Sequence, residues 1–104
     1  MNYNEGELDI SLEDMYKLEH TSYILLDIRS SISFNLSNIE GSINIPKDKI
    51  DNRINELLKD KLIIVYCTIG IFAKDVTKKL RKHGYEASNL TNGYSGWLVK
   101  KFKE

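Results

Sequence analysis

One proline, one tryptophan, two histidines and a single cysteine occur in 104 residues, and each scarcity removes a class of explanation. A lone cysteine excludes an intramolecular disulfide, so burial and hydrogen bonding must hold the chain together. His20, His83 and that one cysteine are too scattered to suggest a zinc site, and no metal or cofactor is expected. Nor is there an excess of charge. Fifteen Lys and Arg balance fifteen Asp and Glu, which leaves no global basic field for a nucleic-acid backbone or an anionic membrane. No apolar run approaches the ~20 residues that span a bilayer. The segment from Met1 to Glu7 lacks the basic and apolar blocks of a secretory signal. The expectation is a cytoplasmic monomer without nucleic-acid or membrane partners. Its length fits one domain, residues 1–104, able to bury a core of its own.

Short apolar runs alternate with helical patterns from end to end, the rhythm of parallel strands joined by crossover helices. Glu7 to Ile10 reads as a first strand, and Ser11 with Asp14 resembles a capping box for a helix reaching about Glu19, with Leu12, Met15 and Tyr16 facing the core. Tyr23 to Asp27 is a buried strand, Ser31 to Leu36 a short helix, and Ser42 to Ile45 a strand ended by Pro46. Ile50, Ile54, Leu57 and Leu58 repeat at helical spacing and predict an amphipathic helix from Lys47 to Lys59. Leu62 to Tyr66 is the next strand. Ala73, Val76, Thr77 and Leu80 then form one helical stripe, with Lys78, Lys79, Arg81 and Lys82 on the solvated side near the helix C-terminus, and Gly84 ends it. Tyr85 to Leu90 predicts a last strand, Asn92-Gly93 a turn, and Tyr94 to Phe102 a closing helix with Trp97 as a core aromatic.

The chemistry lies at Cys67. It closes the run Leu62-Ile63-Ile64-Val65-Tyr66 and opens the loop Cys67-Thr68-Ile69-Gly70-Ile71-Phe72. The carboxyl end of a buried parallel strand is where open α/β sheets place their ligands, and a loop entering a helix there can turn its N–H groups inward. A free thiol has a pKa of ~8.5, which oriented amides lower, and the thiolate is the nucleophile. Gly70 supplies the positive φ that a tight bend around the sulfur requires. The competing reading is a buried cysteine acting only as a small hydrophobe. Asp27 and Arg29 leave the second strand at the same edge. They fit a turn held by an ion pair, with Arg29 the best cationic candidate near the thiol.

Three segments resemble the rhodanese domain family at its own spacing. Asp27-Ile28-Arg29, Phe34 and Ile39 to Pro46 are similar to its N-terminal signature. Cys67, Gly70, the stripe to Leu80 and Gly84-Tyr85 are similar to its active-site loop and helix, and Gly93 to Trp97 to its closing motif. The resemblance implies a five-stranded parallel sheet flanked by helices in three layers, with Cys67 as the sulfur-accepting nucleophile. It implies a donor such as thiosulfate or a persulfide, and a thiol, cyanide or carrier protein as acceptor. Thr68, Ile69, Gly70, Ile71, Phe72 and Ala73, with Arg29, would bind the substrate, and Asp27 would support the site structurally.

The loop is divergent, because Phe72 and Ala73 stand where single-domain members often carry arginine and serine. A neutral, apolar loop favours a thiol, an organic persulfide or a protein donor over a free dianion. Ser33, Ser37-Asn38 and Asn92 depart from the signatures at turns. Two other functions use the same residues. One is a non-catalytic rhodanese-like interaction module. The other is a cysteine-dependent phosphatase or arsenate reductase, which needs an arginine where this chain has Ala73.

Overall fold

The computed structural model describes residues 8–103; the segment from Met1 to Glu7, with the first residue of the expected opening strand, lies outside them. The chain runs through β1 (Asp9–Ile10), α1 (Leu12–Tyr16), β2 (Tyr23–Asp27), α2 (Ser31–Leu36), β3 (Ile43–Asn44), α3 (Ile50–Arg53), β4 (Leu62–Tyr66), α4 (Phe72–Lys82), β5 (Ala87–Leu90) and α5 (Gly93–Lys103). The five strands form one parallel sheet in the order β1-β5-β4-β2-β3, flanked by helices as expected. Among the described residues no helix is long and apolar enough to cross a membrane.

The β-branched run of β4 explains its central place. A parallel strand covered on both faces needs apolar side chains at consecutive positions, and Ile63, Ile64 and Val65 are all fully buried. Alternation divides them between two layers. Ile63 and Val65 pack with Leu26, Ile50, Ile54, Val76 and Leu80, while Ile64 and Tyr66 pack with Leu25, Met15, Ile39 and Leu90, joined by Tyr94 and Trp97. β2 lies beside β4 in the register Tyr23 to Leu62 through Asp27 to Tyr66, so both strands end level.

Four expectations need correction. The helix expected over Lys47 to Lys59 is broken into a 3₁₀ turn at Lys47–Lys49, α3, and a second 3₁₀ turn at Ile54–Glu56. The buried Tyr85 hydroxyl shares its one hydrogen between the carbonyls of Ile54 at 2.8 Å and Leu57 at 3.1 Å, and the Ile54 carbonyl also accepts the Leu57 N–H at 3.1 Å in the closing 3₁₀ turn. Ile50, Ile54 and Leu57 are buried nonetheless, while Leu58 faces solvent. α1 stops at Tyr16, short of Glu19, and the Tyr16 ring is about half exposed rather than in the core. The last strand begins at Ala87 because the Tyr85 N–H closes α4 on the Leu80 carbonyl at 3.1 Å. The strand expected over Ser42 to Ile45 is confined to Ile43 and Asn44.

Tyr66, the last residue of β4, is buried with its hydroxyl 2.9 Å from Ser42 Oγ and accepting the Ile39 N–H at 3.1 Å. Burial pushes its pKa from 10.0 up to about 12, and the negative charge of Asp27 adds to the rise. Above pH 10 the unfolded chain gives up this proton while the folded protein keeps it, so stability present below pH 10 is lost on the way to about pH 12. The loss across the full window is about 2 kcal/mol. The stability advantage of wild type over Tyr66→Phe is therefore expected to shrink by about 1 kcal/mol between roughly pH 9 and pH 11, measured by urea unfolding. A constant difference would show that the phenol titrates alike in both states.

Candidate active site

Topology decides where the site opens. The chain leaves β2 toward β3 on one side and leaves β4 toward β5 on the other, so the two exits diverge at the carboxyl edge. Cys67 follows β4 and Ile28-Arg29 follows β2, and the Ile28 N–H donates to the Tyr66 carbonyl at 3.0 Å across the division.

Cys67 lies at the base of its loop with 4% of its surface exposed, packed among Ile28, Val65, Ala73 and neighbouring core residues. Its sulfur accepts the Gly70 N–H at 3.2 Å. Gly70 has φ +87°, and a Cβ there would stand 2.9 Å from the Asn92 nitrogen, so both backbone conformation and space demand glycine. The first amides of α5 grip the loop from the other side: Tyr94 N–H donates to the Cys67 carbonyl and Ser95 N–H to the Thr68 carbonyl, both at 2.9 Å. α4 begins at Phe72 with no side-chain cap on its N-terminus, leaving first-turn N–H groups beside the loop without a side-chain acceptor. The result is a sulfur held by backbone groups, with a further set of N–H donors at the loop's exit.

The remaining loop residues divide by exposure. Ile69, Ile71 and Phe72 are more than half exposed and give the loop an apolar rim, Thr68 is also exposed, and Ala73 is buried beneath it. Arg29 is occupied: its Nε and Nη2 donate to the fully buried Asp27 carboxylate at 2.7 to 3.1 Å, and Nη2 also donates to the Ser37 carbonyl at 2.6 Å. Burial opposes the guanidinium charge, but the hydrogen bonds and charge of Asp27 prevail and hold its pKa above the ordinary value. It lies 4.1 Å over the ring of Tyr94, whose N–H holds the Cys67 carbonyl, and 5.9 Å over the ring of Tyr66.

Two residues were missed by sequence reasoning. Lys47 Nζ stands 4.7 Å over the Phe72 ring and brings a cation to the position where the loop itself has none. The available signal was its place directly after Pro46, at the edge where β2 and β4 also end. Asn89 of β5 donates to the Gly70 carbonyl at 3.2 Å. The hint was an asparagine, a residue disfavoured in strands, inside the run from Tyr85 to Leu90.

A parallel α/β sheet with a backbone-cradled cysteine after its central strand defines a class of small cysteine-loop proteins. The chain belongs to the rhodanese family: the model of the Rhodanese-like domain matches residues 11–100. It is 29% identical over 80 residues to the thiosulfate sulfurtransferase GlpE of Shewanella oneidensis, covering 76% of this chain and 79% of that protein. It is 30% identical over 102 residues to a probable molybdopterin-synthase adenylyltransferase of Porphyra purpurea, covering 92% of this chain but only 26% of that longer protein. A solved rhodanese-related protein of Thermoplasma volcanium superposes with a TM-score of 0.82 at 25% identity, covering 88% of this chain and 91% of that one.

Proposed function

We propose that this protein is a sulfurtransferase or sulfur carrier that moves sulfane sulfur through a persulfide on Cys67. The observation that carries the reading is the Cys67 sulfur held by the Gly70 N–H at the diverging exits of β2 and β4. In the first half-reaction the thiolate attacks the outer sulfur of the donor. With thiosulfate, a new sulfur–sulfur bond forms on Cys67 as the donor's own breaks, and the electron pair leaves with sulfite. In the second, a thiolate or cyanide attacks the outer sulfur, takes it, and returns the Cys67 thiolate. No external oxidant or reductant enters.

The N–H groups around Cys67 and at the start of α4 would stabilise the terminal persulfide sulfur, on which negative charge resides between the two steps. The exposed Ile69, Ile71 and Phe72 suit an organic persulfide or a protein thiol, with Lys47 as the cation beside them. Arg29 and Asp27 act in this reading as the buried pair that shapes the turn.

Mass spectrometry of the intact protein after incubation with thiosulfate, and separately with an organic persulfide, tests the proposal. A gain of one sulfur atom on Cys67, removed by a thiol, is expected, with the organic persulfide loading faster. No added sulfur from either donor would leave the chain as a non-catalytic interaction module, a reading that the 4% exposure of Cys67 favours.

A further inference from the structure

We infer that Asn89 is a positioning residue for sulfur transfer, anchoring the carbonyl of Gly70, the residue whose N–H holds the Cys67 sulfur. This rests on the sulfurtransferase reading above and names a residue that the family signatures in this chain do not include.

Asn89 is 1% exposed, in the middle of β5, with Val65 beside it in β4 and Asp9 beside it in β1. A strand interior selects β-branched or aromatic side chains, and asparagine is disfavoured there. The amide also carries a penalty, because Oδ1 is buried without a hydrogen-bond partner in the described structure. What it provides is its two N–H donors. Nδ2 donates to Asp9 Oδ1 at 2.9 Å and to the Gly70 carbonyl at 3.2 Å, using both hydrogens. Both acceptors require the NH₂ group on that side, which settles the amide's orientation.

The second bond bears on the chemistry. Gly70 donates its N–H to the Cys67 sulfur and offers its carbonyl to Asn89, so one residue joins the nucleophile to β5. A glycine at φ +87° has no side chain to hold its peptide planes, and they turn more readily than any others in the loop. Anchoring the carbonyl removes that freedom. The Gly70–Ile71 peptide is trans, so a carbonyl held toward β5 turns the Ile71 N–H away from it. A donor group held in place before reaction stabilises developing charge without reorganising at that moment.

A simpler role would be to staple the edge strand β1 through Asp9, and the two bonds can be separated by experiment. Asn89→Ala removes both donors, whereas Asp9→Ala removes the staple and the 3.9 Å ion pair from Lys74 to Asp9 but leaves the bond to Gly70. With Asn89→Ala, sulfur loading of Cys67 from an organic persulfide is expected to slow about tenfold. The Gly70 amide signal should shift by NMR and exchange faster, while the amides of β4 stay protected. Asp9→Ala should load within about twofold of wild type and leave the Gly70 amide in place. If Asn89→Ala fails to fold, Asn89→Ser is read by the same two measurements. An unmoved Gly70 amide with loading within about twofold of wild type overturns the inference, as does an equal slowing in Asp9→Ala. Should the wild-type protein take up no sulfur, the proposed function fails, and the Gly70 amide alone decides whether Asn89 positions the loop.

Discussion

Cys67→Ser is expected to take up no sulfur from thiosulfate or an organic persulfide, a loss of at least about a thousandfold in transfer rate. A serine hydroxyl is a weak nucleophile unless a neighbouring base removes its proton, and neither His20 nor His83 is placed by the fold to do so. The fold should survive with a modest loss. The thiol is nearly buried in an apolar cluster, and serine places a more polar group there while shortening the reach to the Gly70 N–H. A penalty of about 1–2 kcal/mol follows. Intact mass and the denaturation midpoint, measured on the same preparation, separate the two effects. Wild-type loading in a folded Cys67→Ser protein would remove the cysteine from the mechanism.

Gly93→Ala is expected to damage the site more severely than any substitution on the loop's exposed rim. Gly93 has φ +50°, and a Cβ on it would collide with the Cys67 carbonyl oxygen and lie 3.1 Å from both the Cys67 carbonyl carbon and the Gly70 nitrogen. Every one of these neighbours is backbone, so no rotamer change relieves the contact. Relief requires the start of α5 to move, stretching the bonds from Tyr94 to Cys67 and from Ser95 to Thr68. Destabilisation of about 3 kcal/mol or more is expected, with sulfur loading lost in whatever fraction remains folded. Gly41→Ala is the control. Gly41 has φ +86° but nothing within 4 Å of the added carbon, so it carries the left-handed penalty alone, about 1 kcal/mol. Equal destabilisation in the two variants would show that conformational strain, not the collision, sets the cost at Gly93.

The readings that succeeded on sequence rested on local chemistry. Ser11 does cap α1, accepting the Asp14 N–H at 3.0 Å, as expected from hydroxyl and carboxylate three residues apart. Asp27 and Arg29 pair because two residues around a strand end can meet without help from the rest of the chain. The Lys47 to Lys59 helix failed for the opposite reason. Its apolar stripe was read correctly for Ile50, Ile54 and Leu57, but periodicity reports which side chains are buried, not which carbonyls a distant tyrosine will claim. The fold's five parallel strands were legible because β-branched runs and helical stripes alternate without interruption.

The sequence by itself determined the class of fold, the place of Cys67 and Gly70 in one loop and of Gly93 in a separate closing motif, and the exclusion of an intramolecular disulfide, since each follows from residue type and spacing along the chain. Tertiary structure alone decided what surrounds the sulfur. The order β1-β5-β4-β2-β3 brings Asn89, nineteen residues from Gly70, onto its carbonyl, and sets the first turn of α5 against the Cys67 carbonyl. It also sets Lys47 over Phe72. Residue identity fixes which groups can donate or accept. Which of them meet depends on strand order and crossover geometry, through contacts between segments far apart in sequence.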